Sequence, residues 1–207
     1  MSHSNVFNEA LSEVGDGGFI SEVLGTSYDS ARFKQYWRDV MSDKGYSKEK
    51  AANEVIYQAA TKMTVQGGAL GVFGGFGALA AGGTDIISLM YHTVEMCGVL
   101  AEIYGLDTSD DRVKAFVLAG VSGDSILTDK AFKLVEIGSR DLTLKPLVKS
   151  LLVPILKALG VKVGVRGGIK FAELIPVAGA VIGGGANCWM VNNTGHNFLN
   201  KLKKIKR

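Results

Sequence analysis

The stretch VQGGALGVFGGFGALAAGG, residues 65–83, decides how this chain folds. It contains no charged side chain, and eight of its nineteen residues are glycine. Each glycine costs a helix in water about 1 kcal/mol relative to alanine. Lipid or close packing can rescue such a helix, because small residues let two helix backbones approach. A flexible loop is the alternative, but loops are rarely this rich in Val, Leu, Phe and Ala, so we expect a packed helix.

A four-residue glycine step recurs in a second apolar stretch, residues 174–191. The step places these glycines on one face of each helix. The glycines expected at the packing faces are Gly67, Gly71, Gly75, Gly179 and Gly183. Both stretches have roughly the length of a minimal membrane span, and a buried hairpin in a soluble core fits them equally well. We therefore predict a bundle built around two Gly-rich apolar helices.

The remaining segments predict an all-α fold, because none alternates apolar and polar residues between turn dipeptides as a strand would. Helices are expected where apolar residues recur with a period of 3.6, at residues 6–14, 28–41, 47–64, 85–104, 112–120, 126–137 and 144–159. Thr84 is the expected N-cap of the fourth helix, with Asp85 in its first turn. Residues 108–111 form a capping-box pattern before the fifth helix, and Pro154 is expected to kink or split the last.

The length of 207 residues fits one domain with extensions. We divide the chain into an N-terminal helical segment, residues 1–45, a helical domain, residues 46–200, and a basic tail, residues 201–207. The first residues lack an apolar signal-peptide region. Cys97 and Cys188 lie in apolar surroundings, so we expect buried free thiols and a cytoplasmic setting, with their pairing left open.

Charge is distributed unevenly along the chain, although the net charge is only +3. Residues 142–207 hold eleven basic and one acidic side chain, a net +10, whereas residues 84–141 carry a net −5. This basic part predicts an acidic partner surface, and its place beside an apolar helix favours anionic lipid over nucleic acid. A solvated tail is the alternative. The expected lipid-binding residues are Lys201, Lys203, Lys204, Lys206 and Arg207.

One stripe of the helix at 85–104 is polar, and its members are Asp85, His92, Glu95 and Glu102. Carboxylates beside a histidine could bind a metal or carry out acid–base chemistry. Di-iron bundles need Glu-x-x-His from each of two helices, whereas this chain has one His92-x-x-Glu95. We therefore expect a solvated face, and we predict no catalytic residue, metal site or cofactor. Inside a membrane bundle the same stripe would become a candidate site.

Three pieces of the sequence resemble the EcsC family of bacterial proteins: GGTDII at residues 82–87, LAEIYGLD at residues 100–107, and IPVAGAVIGGGAN at residues 175–187. The resemblance covers roughly residues 50–200. Glu102 stands where the family pattern has a small or apolar residue. The resemblance implies a helical, membrane-associated protein, and it implies no particular biochemical activity.

These features lead to one main hypothesis and two alternatives. The main hypothesis is a non-enzymatic helical protein that binds anionic lipid or a membrane protein at the cytoplasmic face of the inner membrane, peripherally or partly inserted. The first alternative is a metal- or ligand-binding enzyme that uses Asp85, His92 and Glu95. The second is a membrane-inserting effector or toxin.

Overall fold

The structure is a computed structural model that describes residues 6–14, 24, 27–39, 44–71, 77–137, 145–167 and 182–205. Side chains at 8, 11, 64–71, 77–87, 160–167 and 182–187 lie outside the description. Every regular element in the described part is helical: α1 Val6–Glu13, α2 Ser30–Trp37, α3 Lys48–Gly71, α4 Gly77–Ile103, α5 Asp111–Ser122, α6 Ser125–Glu136, α7 Lys145–Gly167 and α8 Ile182–Leu202. The predicted all-α fold is confirmed.

Polar side chains determine where several helices begin. α2, α5 and α6 each follow an aspartate whose carboxylate accepts a backbone N–H of the first turn, and these residues are Asp29, Asp110 and Asp124. Such a contact satisfies one of the N–H groups that a helix start leaves without a partner. The hydroxyl of Ser47 accepts from the backbone N–H of Lys50 in the same way at the start of α3, as predicted.

Glycines in the left-handed conformation end two helices. Gly105 follows α4 with φ 76°, and Gly123 follows α5 with φ 71°. The N–H groups of Gly105 and Leu106 donate to the carbonyls of Glu102 and Ala101, which is the hydrogen-bond pattern of a Schellman motif. A side chain would strain the backbone at both positions. The predicted end at residue 104 agrees with the structure to within one residue, whereas α5 continues two residues beyond the predicted end at residue 120.

The helices α3 and α8 form the most extensive helix–helix contact in the described part of the chain. They run antiparallel: Glu49 at the start of α3 pairs with Lys203 just after α8, and Ile56 lies against Gly195. The glycine-rich end of α3 and the glycine-rich start of α8 therefore lie at the same end of the pair. The contacts of Gly67, Gly71, Gly75, Gly179 and Gly183 lie outside the description, so their packing role stays a prediction.

The helix α4 lies at the centre of the bundle, where it packs against α2, α3, α5, α7 and α8. Its C-terminal half supplies fully buried side chains, including Val94, Val99 and Leu100. Cys97 is buried in the same core, and burial raises the pKa of its thiol well above the usual range. Cys188 on α8 is half-buried, and both cysteines are free.

Close helix packing is visible at three glycines that the four-residue step did not identify. A Cβ on Gly98 would lie 2.4 Å from the ring of Phe33, which joins α4 to α2. A Cβ on Gly120 would lie 2.5 Å from the ring of Phe198. A Cβ on Gly195 would lie 2.8 Å from the side chain of Ile56. Real Cβ atoms essentially never lie this close to a neighbour, so a side chain at any of these positions would force the neighbouring side chain to shift.

The predicted start of the helix at Asp85 is wrong. α4 begins at Gly77, so Thr84 is not its N-cap and Asp85 does not lie in its first turn. The expectation assumed that Gly82 and Gly83 would end a helix. Glycine weakens a helix by only about 1 kcal/mol, and the packing of α4 along its neighbours offsets that cost.

Two other local predictions need correction. The predicted split at Pro154 does not occur, because α7 is continuous through that residue, and a kink there stays a prediction. A proline removes one backbone hydrogen bond, but the buried side chains of Leu152 and Ile155 on either side hold α7 in the core. The capping box at residues 108–111 does not form, because Asp110 alone caps α5.

Candidate functional site

Two residues of the polar stripe of α4, His92 and Glu95, lie beneath α2 and are not solvated. The guanidinium of Arg32 donates to Glu95 Oε1 at 2.8 Å. The side chains of His92 and Glu95 are only 13% and 15% exposed. The predicted solvation is therefore wrong at His92 and Glu95. The reason is long-range: an arginine on another helix neutralises the carboxylate and allows its burial.

His92 approaches Glu95 without forming a hydrogen bond. Its Nδ1 lies 3.6 Å from Glu95 Oε2, beyond hydrogen-bond distance, and has no hydrogen-bond partner in the described part of the chain. Arg32 Nε is also buried without one there. Unsatisfied buried donors and acceptors cost free energy, so this interface holds α2 less firmly than a fully bonded one would.

The carboxylate of Glu95 is ionised at neutral pH. Burial acts to raise its pKa, but His92 and Arg32, with a contribution from Lys62, outweigh that effect and hold the pKa below its usual value. Such a group serves as an anchor for Arg32, whose guanidinium also lies 4.4 Å from the ring centre of Tyr91. The arrangement is that of a structural ion pair and differs from a poised general base.

A second set of polar side chains joins α2 to α3. The hydroxyl of Tyr36 donates to Gln58 Oε1 at 2.5 Å, and Gln58 Nε2 donates to Glu54 Oε1 at 2.8 Å. Burial raises the pKa of Tyr36, and the charges of Glu95 and Glu54 raise it further. Tyr36 therefore stays protonated and acts as a hydrogen-bond donor between α2 and α3.

Glu102 has a separate, structural role. Its Oε1 accepts the backbone N–H of Thr108 at 3.0 Å and the hydroxyl of Thr108 at 2.5 Å. The carbonyl of Thr108 in turn accepts the hydroxyl of Tyr28 at 2.9 Å. These bonds fix the connection between α4 and α5 against the residues that precede α2.

Among the stripe residues whose side chains the structure describes, His92 and Glu95 lie together, and Glu102 lies apart from them. Asp85 lies inside α4, and its side chain is outside the description. Within the described ranges, no three His, Cys, Asp or Glu side chains come together as a metal site needs. The stripe thus contributes to the attachment of α2 and forms no described site.

The predicted lipid-binding lysines lie at the end of α8, where two of them form ion pairs. Lys201 pairs with Asp129 on α6, and Lys203 pairs with Glu49 on α3. Lys204 is exposed, and Lys206 and Arg207 lie outside the described residues. The end of α8 is therefore attached to the bundle by its own charges.

Two further lysines, which the sequence analysis did not single out, belong to the same surface. Hydrogen bonding from Lys201 lowers the pKa of Asp129, and the charges of Lys201, Lys133 and Lys204 lower it further. Lys130 is exposed and precedes Lys133 by three residues, which places both on one face of α6. We call Lys130, Lys133, Lys201 and Lys204 the basic end. Its α6 members were missed because they lie in the part of the chain whose net charge is −5, and the end of α8 meets α6 only in the folded protein.

Comparisons of the chain with protein-family models, with curated proteins and with solved structures found no match. The resemblance to the EcsC family therefore stays a prediction that rests on the three quoted pieces of sequence. In the described part of the chain, no helix is both long enough and apolar enough to cross a membrane.

Proposed function

We propose that this chain is a non-enzymatic helical protein that attaches peripherally to an anionic membrane surface, at the cytoplasmic face, through its basic end. The observation that carries the proposal is that Lys133 of α6 and Lys201 and Lys204 of α8 lie near one another around the carboxylate of Asp129. Anionic headgroups attract such clusters by about 1 kcal/mol for each lysine near the surface.

Two ion pairs of α8 support this proposal, because they fix the position of the basic residues at its end. Lys201 and Lys203 hold the end of α8 on the bundle through Asp129 and Glu49. Lys204, which follows them, is exposed, and the sequence adds Lys206 and Arg207. Because these two ion pairs fix the end of α8 on the bundle, binding through Lys204 would orient the whole bundle on the membrane.

The alternative functions receive less support from the described residues. An enzyme at Asp85, His92 and Glu95 would need an accessible acid–base pair, whereas Glu95 is held by Arg32 beneath α2. No observation on the described residues favours a membrane-inserting effector, and no described helix is both long and apolar enough to span a bilayer. The EcsC resemblance agrees with the peripheral membrane proposal.

Vesicle flotation with charge variants tests the proposal. The double variant Lys133→Gln/Lys204→Gln should bind vesicles of mixed anionic and neutral lipid about 30-fold more weakly than the wild type, because two charges contribute on the order of 2 kcal/mol. Neither side chain takes part in a described ion pair, so the fold should be retained.

The matched control is Lys62→Gln/Lys157→Gln, which removes the same charge at two exposed lysines of α3 and α7 outside the basic end. It should bind nearly as tightly as the wild type. Equal weakening of both double variants would show that only net charge matters and would remove the basic end as the binding surface.

A further inference from the structure

The exposed face of α6 carries a stripe that combines apolar and basic side chains. Ile126, Lys130, Lys133 and Ile137 follow each other at steps of four, three and four residues, which keeps them on one helix face. The backbone N–H of Ile137 still donates to the carbonyl of Lys133, so the helical geometry extends to the last member. We call these four residues the α6 stripe.

The two isoleucines are unusually exposed for aliphatic side chains. Ile126 is 65% exposed and Ile137 is 57% exposed, while the opposite face of α6 buries Thr128, Ala131 and Leu134 in the bundle. The two isoleucines of the α6 stripe therefore do not form part of the hydrophobic core. They lie about 16 Å apart along the helix axis, since each residue rises 1.5 Å.

The stripe is continuous with the basic end. Lys130 and Lys133 belong to both, and the end of α8 joins them through the pair of Lys201 with Asp129. Asp129 and Glu136 are the carboxylates on the adjoining face of α6, and Lys201 neutralises the first of them. Four lysines against two carboxylates leave this surface cationic, which complements an anionic partner.

We infer that the α6 stripe is the insertion surface of this protein on anionic lipid: Ile126 and Ile137 enter the interfacial region of the bilayer while the lysines contact headgroup phosphates. The inference rests on the proposed membrane function and adds the face that meets the lipid. Interfacial helices combine a few apolar side chains with lysines that extend toward the headgroups. Two isoleucines supply far less area than the roughly 800 Å² per partner of a stable protein interface, which favours lipid over a protein.

Vesicle binding by a serine variant tests the inference. Ile126→Ser/Ile137→Ser should bind anionic vesicles on the order of tenfold more weakly than the wild type, because it removes apolar groups that enter the bilayer. The salt dependence of binding should be unchanged, since no charge is altered. The matched control is Tyr57→Ser, which removes a side chain that is 66% exposed on α3, and its binding should equal that of the wild type.

The depth of spin labels in the bilayer identifies the inserted helix face without relying on vesicle-binding affinity. Nitroxide labels are placed at Ile126→Cys, Ile137→Cys or Tyr57→Cys in a Cys188→Ser background, and Cys97 is buried and should remain unlabelled. On anionic vesicles, the labels on α6 should become shielded from a water-soluble relaxation agent and accessible to oxygen. The label on α3 should remain exposed to water.

The possible results separate the inference from the proposed function. If the wild type fails to bind anionic vesicles at low salt, both are overturned. If the wild type binds, but the serine variant binds equally well or the α6 labels remain in water, the stripe is not the insertion surface and the membrane proposal stands alone. A selective loss in the serine variant together with shielded α6 labels supports both.

Discussion

At the scale of single residues, glycine controls how closely the helices approach. The four-residue glycine step was the sequence signal for close packing, yet the contacts that the structure describes lie at Gly98, Gly120 and Gly195. No spacing rule identifies these positions, because each depends on a large side chain contributed by a distant helix. The sequence could therefore predict that glycines allow close helix packing, but it could not predict at which glycines this occurs.

The contact between Gly98 and Phe33 gives a test of this device. Gly98→Ala should lower the free energy of unfolding by about 1–2 kcal/mol, since overpacking outweighs the better helix propensity of alanine. Chemical denaturation measures the change. In a Phe33→Leu background the same substitution should cost much less, because the ring that the Cβ would meet at 2.4 Å is gone. An equal cost in both backgrounds would show that the ring is not the cause.

Asp107 supplies a pH-dependent contribution to stability. Hydrogen bonds from Lys34 and Ser109 lower the pKa of Asp107 to about 2, from an ordinary value of 3.8. Because the folded pKa is depressed, the contribution is complete above about pH 4 and is lost as the pH falls through 2. Asp107→Asn should therefore remove roughly 0.5–1 kcal/mol of stability at pH 6, a value reduced for the exposure of this pair.

The pH dependence of the Asp107→Asn effect serves as a control for its cause. The difference in unfolding free energy between the wild type and Asp107→Asn should shrink as the pH falls from 4 towards 2, because both proteins then carry an uncharged group at this position. Urea titrations at several pH values measure it. A difference that stays constant across this range would exclude the depressed pKa as its source.

At the scale of elements, the helix boundaries were more predictable than the contacts between helices. The starts at Ser47 and Asp124 and the end at Gly105 follow from local hydrogen bonds, which a sequence displays directly. The cover of α2 over the polar stripe of α4 could not be predicted in this way. Arg32 and Glu95 are far apart in the chain, and nothing local to either residue indicates its partner.

The attachment of α2 should depend more on the half-buried ion pair than on the exposed one. A double-mutant cycle of Arg32→Met and Glu95→Gln should give a coupling energy of about 1–2 kcal/mol, because both groups are partly removed from water. The cycle of Lys34→Met and Asp107→Asn should give less than about 1 kcal/mol, since that pair is more exposed. Equal coupling energies in the two cycles would contradict this account of how α2 is held.

At the scale of the whole molecule, the charge of the C-terminal part was predictable, but its arrangement was not. The net +10 of residues 142–207 indicated an acidic partner surface. The fold commits Lys201 and Lys203 to ion pairs with Asp129 and Glu49, and it adds lysines from α6. The proposed membrane-binding surface therefore combines two parts of the chain whose net charges differ in sign.

The most direct test of the proposed membrane attachment measures the partition of the wild-type protein onto vesicles as the fraction of anionic lipid increases. With several lysines facing the surface, the partition coefficient should rise more than tenfold from neutral vesicles to vesicles with roughly a third anionic lipid, and added salt should reverse the rise. Equal partition onto neutral and anionic vesicles, or partition that salt leaves unchanged, would contradict attachment through the basic end.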